Sequence, residues 1–425
     1  MSKGGTYIYD RADLEAFRDN VNEGRTYSGT TITLMADIDM SGIDSWIPIG
    51  GIYDNGNVNS FQGTFDGNGY MIRNLKLNND FYGSPELEDV RYIIGLGFFG
   101  VTTNAEIKNL MLNNVDITID GQGIANTVDN LGSLIGAAMS TNVSSCMVYN
   151  VNVDIKGDAG QQGFGGLVGM ASNVERSGTA GVFENCVVVA NNISIETVNQ
   201  AVTIGGIVGS VIGLSPPQGW YDGLYDCNQI TFQITDSYFY ANSISIDCSE
   251  KDSGSPYHCF GGILGSNVFN YYKPDKITMD LYPDDNGTIS RGDIWYSLLN
   301  FSANGSALIS NNFCAIGIFV INRNFKDVSY HPVFGGYKDG YNNTMTSGRH
   351  IFFNFGENSE RFGDLNHPWD PVHMNTYENG GYRHIYNNYA VTNSPNFWKL
   401  EDGLIYSKHS EFLNRLVHAP YLITS

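Results

Sequence analysis

Charge is scarce in this chain of 425 residues: 16% are Asp, Glu, Lys or Arg, against about 25% in an average globular protein. Basic residues are the scarcer kind, with 23 Lys and Arg set against 44 Asp and Glu, for a net charge of −21. Nucleic acids and anionic membranes are held through basic surfaces, so this balance speaks against both as partners. No apolar run approaches the roughly 18 residues of a membrane-spanning helix, so no membrane insertion is expected. Residues 1–30 lack the basic start, apolar stretch and small-residue cleavage site of a secretion signal. They read as a cytosol-made protein or as a mature domain. Six cysteines are too few for a disulfide scaffold. With no CxxC pair, zinc-ribbon and thioredoxin-type motifs have no support. No P-loop or GxGxxG sits between a strand and a helix, and nothing points to a nucleotide or other cofactor.

What the chain has instead is glycine (50), Tyr (26) and Phe (23). That mixture suits a β protein with many tight turns and is too apolar for disorder. It also repeats. One phrase reads GFFG at Gly97–Gly100, SLIG at Ser133–Gly136, GLVG at Gly166–Gly169, GIVG at Gly206–Gly209 and GILG at Gly262–Gly265. A second reads IKNLMLNNVDITI from Ile107, SSCMVYNVNVDI from Ser144, ENCVVVANNISI from Glu184 and TDSYFYANSISI from Thr235. Asn109, Ser145, Asn185 and Asp236 share a slot ahead of a strand, where a short polar side chain bonds the backbone of its own turn. Asn114, Asn150, Asn191 and Asn242 mark a second common turn.

Each unit offers about three short strands and no helical stretch, which disfavours a βα solenoid. Strands this short bury a face only by stacking on their repeats. The expected fold is therefore all-β, a right-handed parallel β-helix. Its coils would stack at roughly 4.8 Å, so that about eight make a rod about 40 Å long. A β-sandwich is the competing architecture, but its strands should not carry one phrase five times. Glycine at the corners is expected to supply φ > 0, and Gly166→Val to damage folding through a forced corner. Exposed strand edges at both ends need covers. Asp10 and Asp13 start a helix that runs through Leu14, Phe17 and Val21 to Gly24, and Ser410 starts a second that Pro420 closes. Cys146 and Cys186 occupy matched places and read as stacked, reduced, buried thiols. Cys248 and Cys259 flank a loop that a bridge could close.

The segment Tyr7–Gly100 resembles the start of bacterial β-helix proteins that carry the GLUG motif. The similarity rests on Asp13, Leu14, Phe17, Val21, Asn22 and Gly24; on Asp37–Met40; on Trp46–Gly50; on Phe61–Gly69; and on Ile72–Leu75. The GLVG phrases resemble the GLUG repeats themselves. The likeness covers roughly 5–270 and returns at Asn388–Val391 and Phe397–Gly403, while about 270–385 departs from it. Two regions follow: 1–270, a β-helix with its capping helix, and 271–425, a loop-rich irregular continuation or a small attachment or oligomerisation region. The resemblance implies a scaffold or adhesive surface on a cell exterior. Such a β-helix also stands, as a noncatalytic part, beside the metallopeptidase domain of immunoglobulin A-cleaving enzymes. Their HExxH motif is absent, since no His here precedes Glu.

Seven of the eight histidines follow residue 330. The densest stretch, Asn366–His373, puts Trp369 and Asp370 between two prolines. Trp369, Asp370, His373 and Tyr382 are the candidate binding residues, with Tyr377 and Tyr386 as further rings for stacking on sugars. The plainer reading is a loop region whose rings fill a small core or subunit contact and whose imidazoles bond backbone. Tyr282–Asp293 resembles a calcium loop but has Tyr at the first ligand position and reads as a turn. Arg291–Asp293 spells an integrin-type tripeptide, a match short enough to arise by chance. Glycan hydrolysis needs two placed carboxylates, and no spacing singles out a pair; no catalytic or metal-ligating residue is assigned.

Two functions fit. The first is a noncatalytic virion component of a bacteriophage, a fibre or spike attaching to a bacterial surface glycan or protein receptor. It would contact other virion proteins, and a homotrimer is the assembly such a fibre would take. This reading draws on Met1 running into the fold and on the missing signal. The second is a secreted or cell-surface bacterial adhesin. A polysaccharide-degrading β-helix enzyme is a third.

Overall fold

In the computed structural model the described residues are 7–53, 57–78, 95–120, 130–156, 162–174, 178–198, 202–213, 230–249, 258–269, 306–310, 312–322, 328–331, 337–339, 382–386 and 389–392. They form one helix, Arg11–Asn22, four parallel sheets and one antiparallel pair, Gly51–Tyr53 with Asn57–Asn59.

The long strands follow directly from their side chains. In Met111–Asp120 the β-branched Val115, Ile117 and Ile119 alternate with Asp116, Thr118 and Asp120, so that one face is buried and the other polar. Leu112 is also buried, although it stands three places before Val115. Asn114 reconciles the two. It takes φ 59° and is skipped in the pairing with both neighbouring strands. A residue inserted in the left-handed region restores the inward phase, as a β-bulge does. Asn74 and Asn150 repeat this at φ 60° and 56°. The turn expected at Asn114 and Asn150 is therefore a kink inside a strand, whereas Asn191 and Asn242, the other two of that set, are not at positive φ.

Successive strands enter four sheets in a fixed order. Glu106–Lys108 joins a nine-stranded sheet, Met111–Asp120 an eight-stranded one, Asn130–Gly132 a five-stranded one and Ile135–Met139 a six-stranded one. The next circuit begins with Asn142–Ser144, back beside Glu106–Lys108. Neighbours in these four sheets pair in parallel; Met111, for instance, stands between Met71 and Met147. That pairing rules out an antiparallel sandwich. One apolar core takes Ile107 and Val143 from the first sheet, Leu112 and Ile117 from the second, Leu131 and Phe164 from the third, and Ile135 and Val168 from the fourth. Strands within 306–392 continue the same sheets, for example Ser306–Ser310 beside Ile230–Thr235 and Tyr389–Thr392 beside Phe313–Asn322.

The N-terminal helix forms where its sequence predicts. Asp10 caps it by accepting from the Asp13 amide at 3.0 Å, and Leu14, Phe17 and Val21 are buried. Phe17 meets Tyr27 and Phe61 edge-on, with ring centroids 5.1 and 5.5 Å apart. The second predicted helix, from Ser410, lies outside the described residues.

The glycine phrases work differently from expectation. Gly166 and Gly206 are not at positive φ. They are glycine because the backbones of successive circuits touch there: a Cβ on Gly166 would stand 2.2 Å from the Gly206 carbonyl oxygen, and one on Gly206 would stand 2.0 Å from that of Gly262. Left-handed corners fall instead on Asn109, Ser145, Asn185 and Asp236, at φ 52–53°, and on Asn104 and Ser140, at 49° and 48°. Amide and short polar side chains tolerate that region better than other L residues.

Candidate functional site

Across the circuits within 106–269, two of the four corners hold constant length. Asn109–Leu110, Ser145–Cys146, Asn185–Cys186 and Asp236–Ser237 link the nine-stranded to the eight-stranded sheet, and Ser133–Leu134, Gly166–Leu167, Gly206–Ile207 and Gly262–Ile263 link the five-stranded to the six-stranded one. The first of these corners is longer earlier in the chain (35–37 and 67–70) and the second longer later (332–336), and the eight- to five-stranded corner varies without trend. The corner from the six-stranded back to the nine-stranded sheet behaves otherwise. Its connections are 104–105, 140–141, 173–177, 214–229, 270–305 and 340–381, each as long as or longer than the last.

The binding candidates from the sequence belong to that corner by connectivity. Trp369, Asp370 and His373 fall within 340–381 and lie outside the described residues, as do the calcium-like stretch and the Arg-Gly-Asp triplet within 270–305. Tyr382 opens the strand Tyr382–Tyr386 and pairs with Ser306; its side chain lies outside the described residues. Cys248 and Cys259 fall in strands of two different sheets, and their side chains also lie outside them.

Where side chains are described, the polar ones form ladders from one circuit to the next. Asn109 donates to Asp66 (3.0 Å), Asn185 to Ser145 (3.0 Å), Asn114 to Asn74 (2.8 Å) and Asn152 to Asp116 (3.0 Å). The corner asparagines thus bond the previous circuit, where the sequence had them bonding their own turn. At the start of one ladder, Asp39 accepts from the Asn74 amide at 2.8 Å, the Ser41 backbone N–H at 2.9 Å and Arg73 Nε at 3.1 Å. These bonds, the one from Asn74 foremost, hold the Asp39 carboxyl well below its ordinary range. Such a carboxylate is a fixed acceptor; general acid catalysis asks for the opposite shift.

A buried counterpart runs through one inner slot. Leu110, Cys146, Cys186, Ser237 and Asn312 follow one another there, each just before a long strand. The Ser237 hydroxyl accepts from the Cys186 amide at 3.2 Å, and Asn312 accepts from the Ser237 amide at 2.9 Å while donating to the Ile234 carbonyl at 2.8 Å. Cys146 and Cys186 are buried and unbridged, as expected, and burial pushes both thiols up, Cys186 to about 12. Sequence reading passes over Ser237 and Asn312. Aligning the slot after each corner residue brings them out. Among the described residues no group of three or more His, Cys, Asp or Glu is placed to hold a metal ion.

No protein-family model matches the chain, and no curated protein matches it. It is similar to a crystal structure of a "putative immunoglobulin A1 protease" from Bacteroides ovatus, at 18% identity over 77% of this chain and 83% of that one, with a TM-score of 0.38. A similarity of that size carries no argument about fold or activity.

Proposed function

We propose that the chain winds as a right-handed parallel β-helix and serves as a noncatalytic attachment protein of the bacteriophage fibre or spike type. Region 1–270 is the scaffold, and the connections of 271–425 carry most of the binding. The observation that carries this reading is the growth of the connections at one corner, from 104–105 to 340–381, while those from eight- to five-stranded sheet, such as 121–129, 199–201 and 250–257, stay short and follow no trend. A repeat body whose connections lengthen chiefly at one edge is how scaffolds present recognition loops. The ladders support it too, because they engage Asp39, Asp66 and Asp116 as acceptors.

The motif resemblance to GLUG-motif surface proteins favours a second reading, a secreted or cell-surface bacterial adhesin. The receptor is a bacterial surface glycan or protein in the first case and a neighbouring cell or matrix in the second.

The test replaces 340–381 with a two-residue turn copied from Asn104–Ala105 and measures binding to a panel of bacterial cells. Loss of cell binding with an unchanged far-ultraviolet β spectrum is expected. Undiminished binding by the shortened chain would remove this corner from the argument.

A further inference from the structure

Thioethers form a short line on the outer face of the eight-stranded sheet. Met71, Met111 and Met147 stand at one register position on three adjacent strands. Their chain neighbours Ile72, Leu112 and Val148 belong to the core, so strand alternation turns the three methionines outward. Met71 and Met147 are partly exposed, whereas Met111 between them is 4% exposed. Tyr149, on the strand of Met147, reaches back across this line. Its hydroxyl donates to Met71 Sδ at 3.5 Å, two strands away. Burial and the nearby Asp37 charge raise the pKa of that hydroxyl, which keeps it a donor.

A thioether is a weak acceptor, and oxidation changes that. In the reaction with a hydroperoxide, a sulfur lone pair attacks the terminal peroxide oxygen and the O–O bond breaks. Sulfur gives up two electrons and gains the S–O bond. The proton of the attacked oxygen passes to the leaving oxygen, which departs as water or an alcohol. A sulfoxide is polar and disrupts packing where nothing receives its oxygen. At Met71 a receiver is already in place. With an S–O bond of about 1.5 Å and an O–H···O distance of about 2.8 Å, a hydroxyl 3.5 Å from the sulfur meets the added oxygen at an angle of about 105°. The Tyr149 hydroxyl thus exchanges a weak bond to sulfur for an ordinary one to oxygen without leaving its position.

We propose that Met71 is a modification site for hydroperoxides, at which the sheet takes up one oxygen atom as a sulfoxide held by the Tyr149 hydroxyl. Met111 is the shielded member of the line. The inference is independent of the attachment reading, because it concerns the chemistry of one sulfur and needs no receptor.

The test treats the folded, full-length chain with hydrogen peroxide, follows each methionine by peptide mass spectrometry, and records melting curves before and after. Four chains are compared: the parent, Tyr149→Phe, Met71→Leu and the double variant. Phenylalanine keeps the ring and removes only the hydroxyl. In the parent, Met71 should gain oxygen at least about tenfold faster than Met111. Oxidation should lower the melting temperature of Tyr149→Phe by about 1–2 °C more than that of the parent, the size of one hydrogen bond in a chain of this length. Other methionines oxidise alike in both chains, so this difference should vanish when Met71 is leucine. Equal losses in the parent and in Tyr149→Phe would overturn the proposal, as would a difference that persists in the Met71→Leu background. So would a Met71 that oxidises no faster than Met111. That last comparison uses the parent chain alone, so it decides the matter even where Tyr149→Phe fails to fold.

Discussion

Ser133 stands in the slot that Gly166, Gly206 and Gly262 fill in later circuits, and its side chain is fully buried with no hydrogen-bond partner for the hydroxyl. A lone buried hydroxyl costs about 1–3 kcal/mol, so Ser133→Ala should raise stability by about 1 kcal/mol in urea unfolding. The converse change, Gly206→Ala, would put a Cβ 2.0 Å from the Gly262 carbonyl oxygen and 2.3 Å from the Phe239 ring, and should cost about 3 kcal/mol. Gly42 provides the contrast: at φ +82° with nothing within 4 Å, an alanine there meets only backbone strain, about 1 kcal/mol. Equal losses at Gly206 and Gly42 would show that close approach is not what selects glycine in the phrase. Asp39 gives a residue-scale pH dependence. Its folded pKa is depressed, so its contribution is full above the ordinary value of 3.8 and is lost as pH falls through the depressed one. Asp39→Asn should therefore lower the melting temperature at neutral pH, by a small amount because the group is exposed, and the gap should close in strong acid. A gap that stayed constant down the pH scale would point to lost packing instead.

At the scale of the element, the N-terminal helix shows how local and long-range signals combine. Asp10 sets its start, and the buried Leu14, Phe17 and Val21 seat it over the aromatic group of Phe61, Phe65, Phe98 and Phe99. Phe17→Ala should cost about 3 kcal/mol by leaving a cavity among these rings, read as an earlier denaturant midpoint. A loss of only a few tenths would mean the helix is dispensable as a cover. This helix is legible in the sequence because its cap, its apolar spacing and its Gly24 stop all lie within one short window. The circuits are legible for a related reason: the repeated phrases place apolar residues at register positions, and Ile107, Val143 and Phe183 are such a set. The kink at Asn114 and the inner step from Cys186 to Ser237 and Asn312 are not. Both depend on which residue of the neighbouring circuit stands opposite, and a single strand read alone does not contain that. The role of the glycines escapes a reading of one strand for the same reason, since close approach is a property of two circuits and φ a property of one. The candidate binding residues Trp369, Asp370 and His373 come from composition, and only the corner to which they connect is fixed by the strands around them; the fourth candidate, Tyr382, opens the strand that follows.

For the whole molecule, charge decides how copies meet. Each chain carries −21 at neutral pH, and its isoelectric point is near 4.6. Copies therefore repel at long range, over a Debye length of about 30 Å at 0.01 M salt and about 8 Å at 0.15 M. A fibre or spike needs copies held together in spite of this, so its contact must be wide and nearly free of carboxylates. The fibre reading then predicts a trimer in light scattering at 0.15 M salt that persists at 0.01 M. A mass near 46.7 kDa at both salt concentrations would instead mean that repulsion prevails and would favour the adhesin scaffold. A trimer at high salt that falls apart at low salt would show a contact too weakly shielded for a stable fibre, and would count against the fibre reading as well.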